Sequence, residues 1–196
     1  FRRVLFRSLK TPGISSDMFI ENLQLYGDTL GNANINFAFD IPKNLITVDA
    51  LVDRGGVKNI EVKGNYFIAE KKDSMDFKIT FQKTNLSAFS GYAKDLVSEL
   101  RGKVSGEVRL AGTLREPTLK GKLRLQQTSF RFDYLNTHYN LSEEVEFEEK
   151  FFRFKNFKVN DENGNQAIVD GYVYHNHLKN FVLAFDITAN NFQMLN

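Results

Sequence analysis

Between Gly102 and Leu125 the chain alternates with a period of two on both sides of a proline-containing turn. Val104, Val108 and Leu110 share one parity with Gly102, Gly106 and Gly112. After the turn Leu119, Leu123 and Leu125 share the opposite parity with Gly121, while Lys120, Lys122 and Arg124 point the other way. Successive side chains of a strand leave opposite faces, so this hairpin has one oily face and one wet face. The pattern recurs along most of the chain with little helix beside it, and that shortage of cover limits the folds available.

Upstream, Ala33, Ile35, Phe37, Phe39 and Ile41 alternate with Asn32, Asn34, Asn36 and Asp40. Pro42-Lys43-Asn44 makes a turn into Ile46, Val48, Ala50 and Val52, and Arg54-Gly55-Gly56 makes the next, glycine accepting positive φ without steric cost. Ile60 and Val62 follow, then Phe77, Ile79 and Phe81. At Leu86, Phe89, Tyr92, Ala93, Leu96, Val97 and Leu100 the spacing changes to three and four, which predicts a helix over 86–100 that stops at Arg101-Gly102. Strands resume with Phe130, Phe132 and Tyr134, then Val145 and Phe147, then Phe152 and Phe154. The apolar parity slips to Phe157 and Val159, predicting a bulge near Asn156. Asn163-Gly164 predicts a hairpin turn, and residues 167–174 and Phe181, Leu183, Phe185 and Ile187 predict the last strands. The reading is all-β: about a dozen strands joined by short turns, most simply a meander, with one helix near 86–100.

A sheet with one oily face must bury it against something. One helix of that length cannot shield a dozen strands, and each large apolar side chain left wet forfeits roughly 1.5–3 kcal/mol. Three solutions remain open: a two-layer sandwich, a closed barrel, or a trough whose oily interior holds an apolar guest. A transmembrane barrel fits worst, because the second face of the strands carries Lys, Arg, Asp and Glu and the chain has no Trp for an aromatic girdle.

Phe1–Ser8 (FRRVLFRS) matches a reading-frame translation of a common short-read sequencing adapter, so residues 1–8 are set aside as foreign and residues 9–196 are read as part of a single repetitive domain. Without Arg2, Arg3 and Arg7, the 26 basic residues fall to 23 against 24 acidic ones, and the formal charge moves from +2 to −1. A nucleic-acid partner thereby loses its compositional support. With no Cys there is neither disulfide scaffold nor thiolate chemistry. No run of 18 apolar residues and no signal-peptide pattern is present in this stretch.

The chemistry-bearing residues do not assemble into a recognisable site. His175 and His177 beside Asp170 fall short of the three or four ligands zinc needs and are read as a solvated hairpin turn. Asp161, Asn163 and Asn165 imitate the start of a calcium loop, but Gln166 stands where glycine is required and no bidentate Glu follows. His138 has no paired nucleophile, no Ser sits in a nucleophile elbow, and Glu143, Glu144, Glu146, Glu148 and Glu149 read as a solvated strand face with its turn. The expectation is no enzyme, no cofactor, no metal and no catalytic residue.

The block Gly106 to Leu123 (GEVRLAGTLREPTLKGKL) resembles the repeated G-x-V-x-x-x-G-T-L-x-x-P-x-x-x-G-x-L pattern of the TamB family, the translocation and assembly module proteins of the AsmA-like superfamily. Phe130 to Tyr139, Phe157 to Gly171 (with Asp161, Gly164 and Asn165) and Phe185 to Leu195 are similar to the C-terminal region of Bacteroidetes-type members. The resemblance covers about Leu86 to Asn196 well and Leu9 to Gln82 more loosely. It implies an elongated, curled, mostly antiparallel β-meander shaped like a taco, with a hydrophobic groove.

It further implies a periplasmic location, a parent protein anchored in the inner membrane of a Gram-negative bacterium outside these residues, and an Omp85-type outer-membrane barrel partner. The implied role is carriage of phospholipids between the two membranes, linked to outer-membrane protein assembly. The groove lining expected on this reading is Ile35, Phe37, Phe39, Ile46, Val48, Phe77, Ile79, Phe81, Val108, Leu110, Leu119, Leu123, Leu125, Phe130, Phe132, Phe181, Leu183, Phe185 and Ile187, with phospholipid acyl chains as occupants. Two other readings stay beside it: a scaffold that assembles outer-membrane or autotransporter clients by β-augmentation, and a closed β-sandwich module for adhesion or carbohydrate.

Overall fold

The structure, a computed structural model, describes residues 3–6, 13–69, 72–94 and 97–194. Among them, thirteen strands belong to one sheet: β1 (Arg3–Phe6), β2 (Gly13–Leu25), β3 (Asp28–Asp40), β4 (Leu45–Arg54), β5 (Val57–Phe67), β6 (Ser74–Asn85), β7 (Val97–Gly112), β8 (Pro117–Phe132), β9 (Thr137–Leu141), β10 (Glu144–Phe147), β11 (Phe151–Asn160), β12 (Gln166–Asn176) and β13 (Lys179–Ala189). Every pairing is antiparallel between chain neighbours, with one variation. β9 and β10 act as the two pieces of one interrupted strand, each lying between β8 and β11. The turns therefore gather along two rims. The first holds those after β2, β4, β6, β8 and β11, and the second those after β3, β5, β7, β10 and β12.

Among the described residues no second sheet packs on this one, as a sandwich of two separate sheets would require. Among the described residues β1 and β13 each have a strand on one side only, so the sheet is not a closed barrel. The accessible surface is 12737 Å², against about 9,500 Å² for a compact chain of this mass.

The sheet is bent rather than flat. Val97 on β7 and Ile187 on β13 line the same concavity, yet five inter-strand steps on a flat sheet would separate those strands by about 24 Å. Bulges supply part of the bend. The register shifts beside Asn22, Lys83 and Asn156 coincide with left-handed φ values of 53°, 51° and 48° at those residues. Gln127, at 48°, lies where β8 changes parity between Leu125 and Thr128. Each bulge frees a backbone N–H, and a side chain from the neighbouring stretch of chain catches it. Asn22 donates to Asn32 Oδ1 at 3.1 Å, Lys83 to Ser105 Oγ at 3.0 Å, Gln127 to Ser142 Oγ at 2.9 Å and Asn156 to Asp170 Oδ1 at 2.8 Å. The bulge expected near Asn156 is thus one of several.

The helical segment begins where the spacing predicts but is shorter. A 3₁₀ turn at Leu86–Phe89 runs into α1 (Ser90–Ala93), and Val97 and Leu100 already belong to β7; Leu96 lies outside the described residues. This short piece seals part of the sheet. Ala88, with no exposed surface, packs with Leu30, Ala33, Val52 and Ile60, while Phe89 meets Phe81 edge-on with ring centroids 5.8 Å apart. A second cluster, Leu141, Val145 and Phe157, lies under the later strands with Leu125, Phe130, Phe147 and Phe154 against it.

Candidate functional site: an apolar trough

Cross-strand partners share a face, so the register can be followed from strand to strand. One row runs Met18, Ile35, Ala50, Val62, Ile79, Val108, Gly121, Phe147, Phe152, Val173 and Leu183. It crosses β2 to β13 without one polar side chain. Beside it Phe37, Val48, Gly64, Phe77, Leu110 and Leu119 make a second row, and Phe39 and Ile46 lead a third. Phe81 and Leu123 flank Gly106 on the other side. Leu125 pairs with Val104, Phe130 with Tyr139, Phe132 with Val97, Phe185 with Gly171 and Ile187 with Val169. Phe181 lies 6.1 Å from the Phe152 ring. The structure thus brings all the expected lining residues to one face. Leu125 and Phe130 differ in sequence parity yet share that face because the bulge at Gln127 inserts a residue between them.

Exposure distinguishes a lining from a core. Of those residues Val108 alone is fully buried, at 3% exposed; Phe181, Leu183, Phe185 and Ile187 on β13 are exposed, and the rest are half-buried. Two concavities open on this face. One of about 330 Å³ lies among Phe130, Phe132, Tyr139, Val169, Phe185 and Phe192. The other, about 380 Å³, lies between β2, β3 and β4 among Ile14, Met18, Phe37, Phe39 and Ile46. Sequence reading missed Ile14, Met18, Val97, Tyr139, Phe192 and Met194 as lining. Val97 had been absorbed into the predicted helix, and Phe192 and Met194 follow the last strand with no periodicity to betray them.

Gly121 shows how tightly the rows approach. Its φ is +142°, and a Cβ there would lie 2.2 Å from the Glu107 carbonyl oxygen on β7. Glycine is needed for both reasons.

The segment after β13 folds back along the first rim. Phe192 stacks on Tyr139 with centroids 5.4 Å apart, Tyr139 donates its hydroxyl to the Gln193 carbonyl at 3.2 Å, and the Gln193 N–H donates to Asp161 Oδ2 at 2.9 Å. Asp161 is 2% exposed. Burial pushes its carboxyl up, but N–H groups of Gln193, Asn165 and Asn163 and the Asn165 side chain donate to it, and together they hold it below its ordinary value. The Asp161–Asn165 segment is thus the expected hairpin turn, and it also ties down the tail.

His175 corrects the reading of a solvated loop. It is 7% exposed, packed 4.7 Å from the Phe152 ring, with Nδ1 accepting from the Leu178 N–H at 3.2 Å. Burial lowers its pKa. Asp170, beside it in sequence, instead accepts from Asn156. Among the described residues no group of three or more His, Cys, Asp or Glu is placed to hold a metal ion.

The opposite face is wet and paired. Lys78 meets Glu107 at 2.6 Å, Lys122 meets Glu146 at 3.5 Å, and Arg109 clamps Asp76 through two hydrogen bonds that hold the Asp76 carboxyl below its ordinary range. Exposed pairs of this kind contribute about 0–1 kcal/mol each. They mark the face as solvent's.

The family model of the TamB C-terminal domain matches residues 49–156, more than half of the chain. The chain belongs to the TamB family. The match takes in the later part of β4 with β5 and β6, where the sequence likeness is looser, and ends at Asn156, before the tail that folds over the TamB trough here. Membership places the chain among bacterial envelope proteins with a role in outer-membrane assembly or lipid transport. No curated protein and no solved structure matches the chain.

Proposed function

We propose that this TamB domain is a non-catalytic conduit segment that carries phospholipids across the periplasm between inner and outer membranes. The observation that carries the reading is the unbroken apolar row from Met18 to Leu183, on which no second sheet packs among the described residues. Acyl chains would lie along the rows, passing from strand to strand, with head groups at the open rims. The parent protein would be anchored in the inner membrane through residues outside this stretch and would meet an Omp85-type barrel at the outer membrane. No cofactor enters the scheme.

The test places a charge in the trough. Phe132→Asp or Leu123→Asp is expected to abolish crosslinking of phospholipid to photoreactive groups on the apolar face, whereas Lys122→Gln on the wet face leaves it unchanged. Undiminished crosslinking in the charged variants would refute the conduit.

One observation favours a second reading, a scaffold for outer-membrane clients. β13 is exposed along its whole length, and among the described residues no strand lies on its outer edge. Such an edge can add a strand from another chain. Proline substitutions along β13 would block strand addition while sparing lipid crosslinking on β2 to β6.

A further inference from the structure

Across the middle of the wet face cations are matched by carboxylates, as at Lys63 with Glu61 (2.6 Å), Lys120 with Glu149 (3.2 Å) and Arg153 with Glu146 (3.2 Å); others, such as Lys150, Lys155 and Lys158, are exposed and make no ion pair among the described residues. One corner gathers four such cations around a single concavity. Arg54, Lys58, Lys83 and Lys103 surround a shallow concavity of about 160 Å³ at the first rim, with Asn59, Gln82 and Asn85 in its walls. All four cations are exposed, and among the described residues none makes an ion pair. Lys103 bonds the side-chain oxygen of Asn85. Lys58 contributes to holding the Glu61 carboxyl down, but Glu61 takes its ion pair from Lys63. The nearest strand partner of Lys58, Asp53, accepts from the Gly56 N–H at 3.2 Å.

Apolar tips stand along the same rim. Tyr26 in the β2–β3 turn, Val57 at the start of β5 and Tyr92 in α1 are 59%, 68% and 75% exposed; the two tyrosine rings meet edge-on at 5.3 Å. Tyrosines with a greasy body and polar tip are enriched at membrane–water interfaces, and unmatched Lys and Arg are drawn to anionic lipid surfaces. A shallow patch of long flexible cations needs no shape-matched partner, which suits a fluid surface better than a folded acidic protein.

We propose that this rim is a docking surface for an anionic lipid bilayer, with Arg54, Lys58, Lys83 and Lys103 on head-group phosphates and Tyr26, Val57 and Tyr92 seated at the interface. It deepens the conduit reading by naming the surface on which the trough rests, and it rests on that reading only for the purpose of the contact.

Co-sedimentation of the full chain with vesicles tests it. The chain is expected to pellet with phosphatidylethanolamine–phosphatidylglycerol vesicles, not with phosphatidylethanolamine–phosphatidylcholine vesicles, and to release as salt is raised. Each lost cation removes roughly fivefold in partition, so Lys58→Glu with Lys83→Glu reduces it at least tenfold. Tyr92→Ser gives a smaller loss. Lys120→Glu with Lys122→Glu, on the matched part of the same face, leaves partition unchanged; all these side chains are exposed, and circular dichroism checks that the fold is kept. Equal pelleting with neutral vesicles, no pelleting with anionic ones, or an equal loss in the control pair would overturn the docking surface. Release by inorganic phosphate at constant ionic strength would overturn it too, showing a free-phosphate site instead. Trough crosslinking is read separately: if it persists without vesicle binding the docking surface alone fails, and if vesicle binding persists without it the conduit alone fails.

Discussion

Along the first rim, the oily face of β2 to β6 meets a helical segment, while the same face of β8 to β13 meets no helix among the described residues and carries the chain's own Phe192 and Met194. In the earlier half Ala88 is fully enclosed among Leu30, Ala33, Val52 and Ile60. In the later half the rings lean on one another: Phe147 on Phe152 at 4.8 Å, Phe154 on Phe157 at 5.1 Å and on Phe185 at 5.3 Å. Small side chains under a plug give a core; the large rings in lateral contact stay half-wet or exposed except Phe157, which is 4% exposed within the second cluster. Each ring pair returns roughly 0.5–1.5 kcal/mol beyond area burial, which offsets part of what exposure forfeits. The difference teaches that a trough need not be uniformly open. This one is sealed at one stretch and left accessible at another.

The comparison can be broken most severely at the β7–β8 pairing that joins the two halves. Gly121→Ala puts a Cβ against the Glu107 carbonyl in a left-handed conformation and is expected to cost roughly 3 kcal/mol or more, seen as a lower midpoint in urea unfolding. Ala88→Leu overfills the plug and should cost about 1–3 kcal/mol, loosening β2 to β5 in hydrogen exchange while β11 to β13 keep their protection. Loss of protection in both halves would mean that they are one core. Phe192→Ala with Met194→Ala should leave stability nearly unchanged yet raise binding of an apolar dye to the later half. The mildest perturbation is acid. Because the folded Asp161 carboxyl is held low, its contribution is present above the ordinary value of about 3.9 and is lost as pH falls through the lower folded value. Protection of the Gln193 amide, relative to its intrinsic exchange rate at the same pH, should therefore fall only in that acid range, and Asp161→Asn should abolish the dependence.

Much of this was legible in the sequence because period two survives wherever the strand is regular. Phe37, Val48, Phe77 and Leu110 are assigned to one face by parity alone, and the register confirms it. Bulges were legible only where parity visibly slips, as at Asn156. At Lys83 and Gln127 an ordinary long polar residue takes the left-handed conformation with no side-chain signature, and the Ser that satisfies it is distant in sequence, Ser105 on β7 and Ser142 between β9 and β10. The helix was overdrawn because Val97 and Leu100 fit a three-residue spacing as well as they fit a strand, and short apolar runs do not separate the two. β2 escaped notice because its alternation through Met18 and Ile20 breaks at Asn22 and resumes on the other parity at Leu23. The tail was invisible because it is held by Asp161 and Tyr139 rather than by a period.

A ladder in which each strand donates one rung to a common row has a mechanical corollary: it is extensible. Inserting one more hairpin would lengthen the channel by about 10 Å and demand only that its inward residues be greasy and its turns polar. With no closing seam to preserve, duplication of such units could fit the span of a protein to the gap it must bridge.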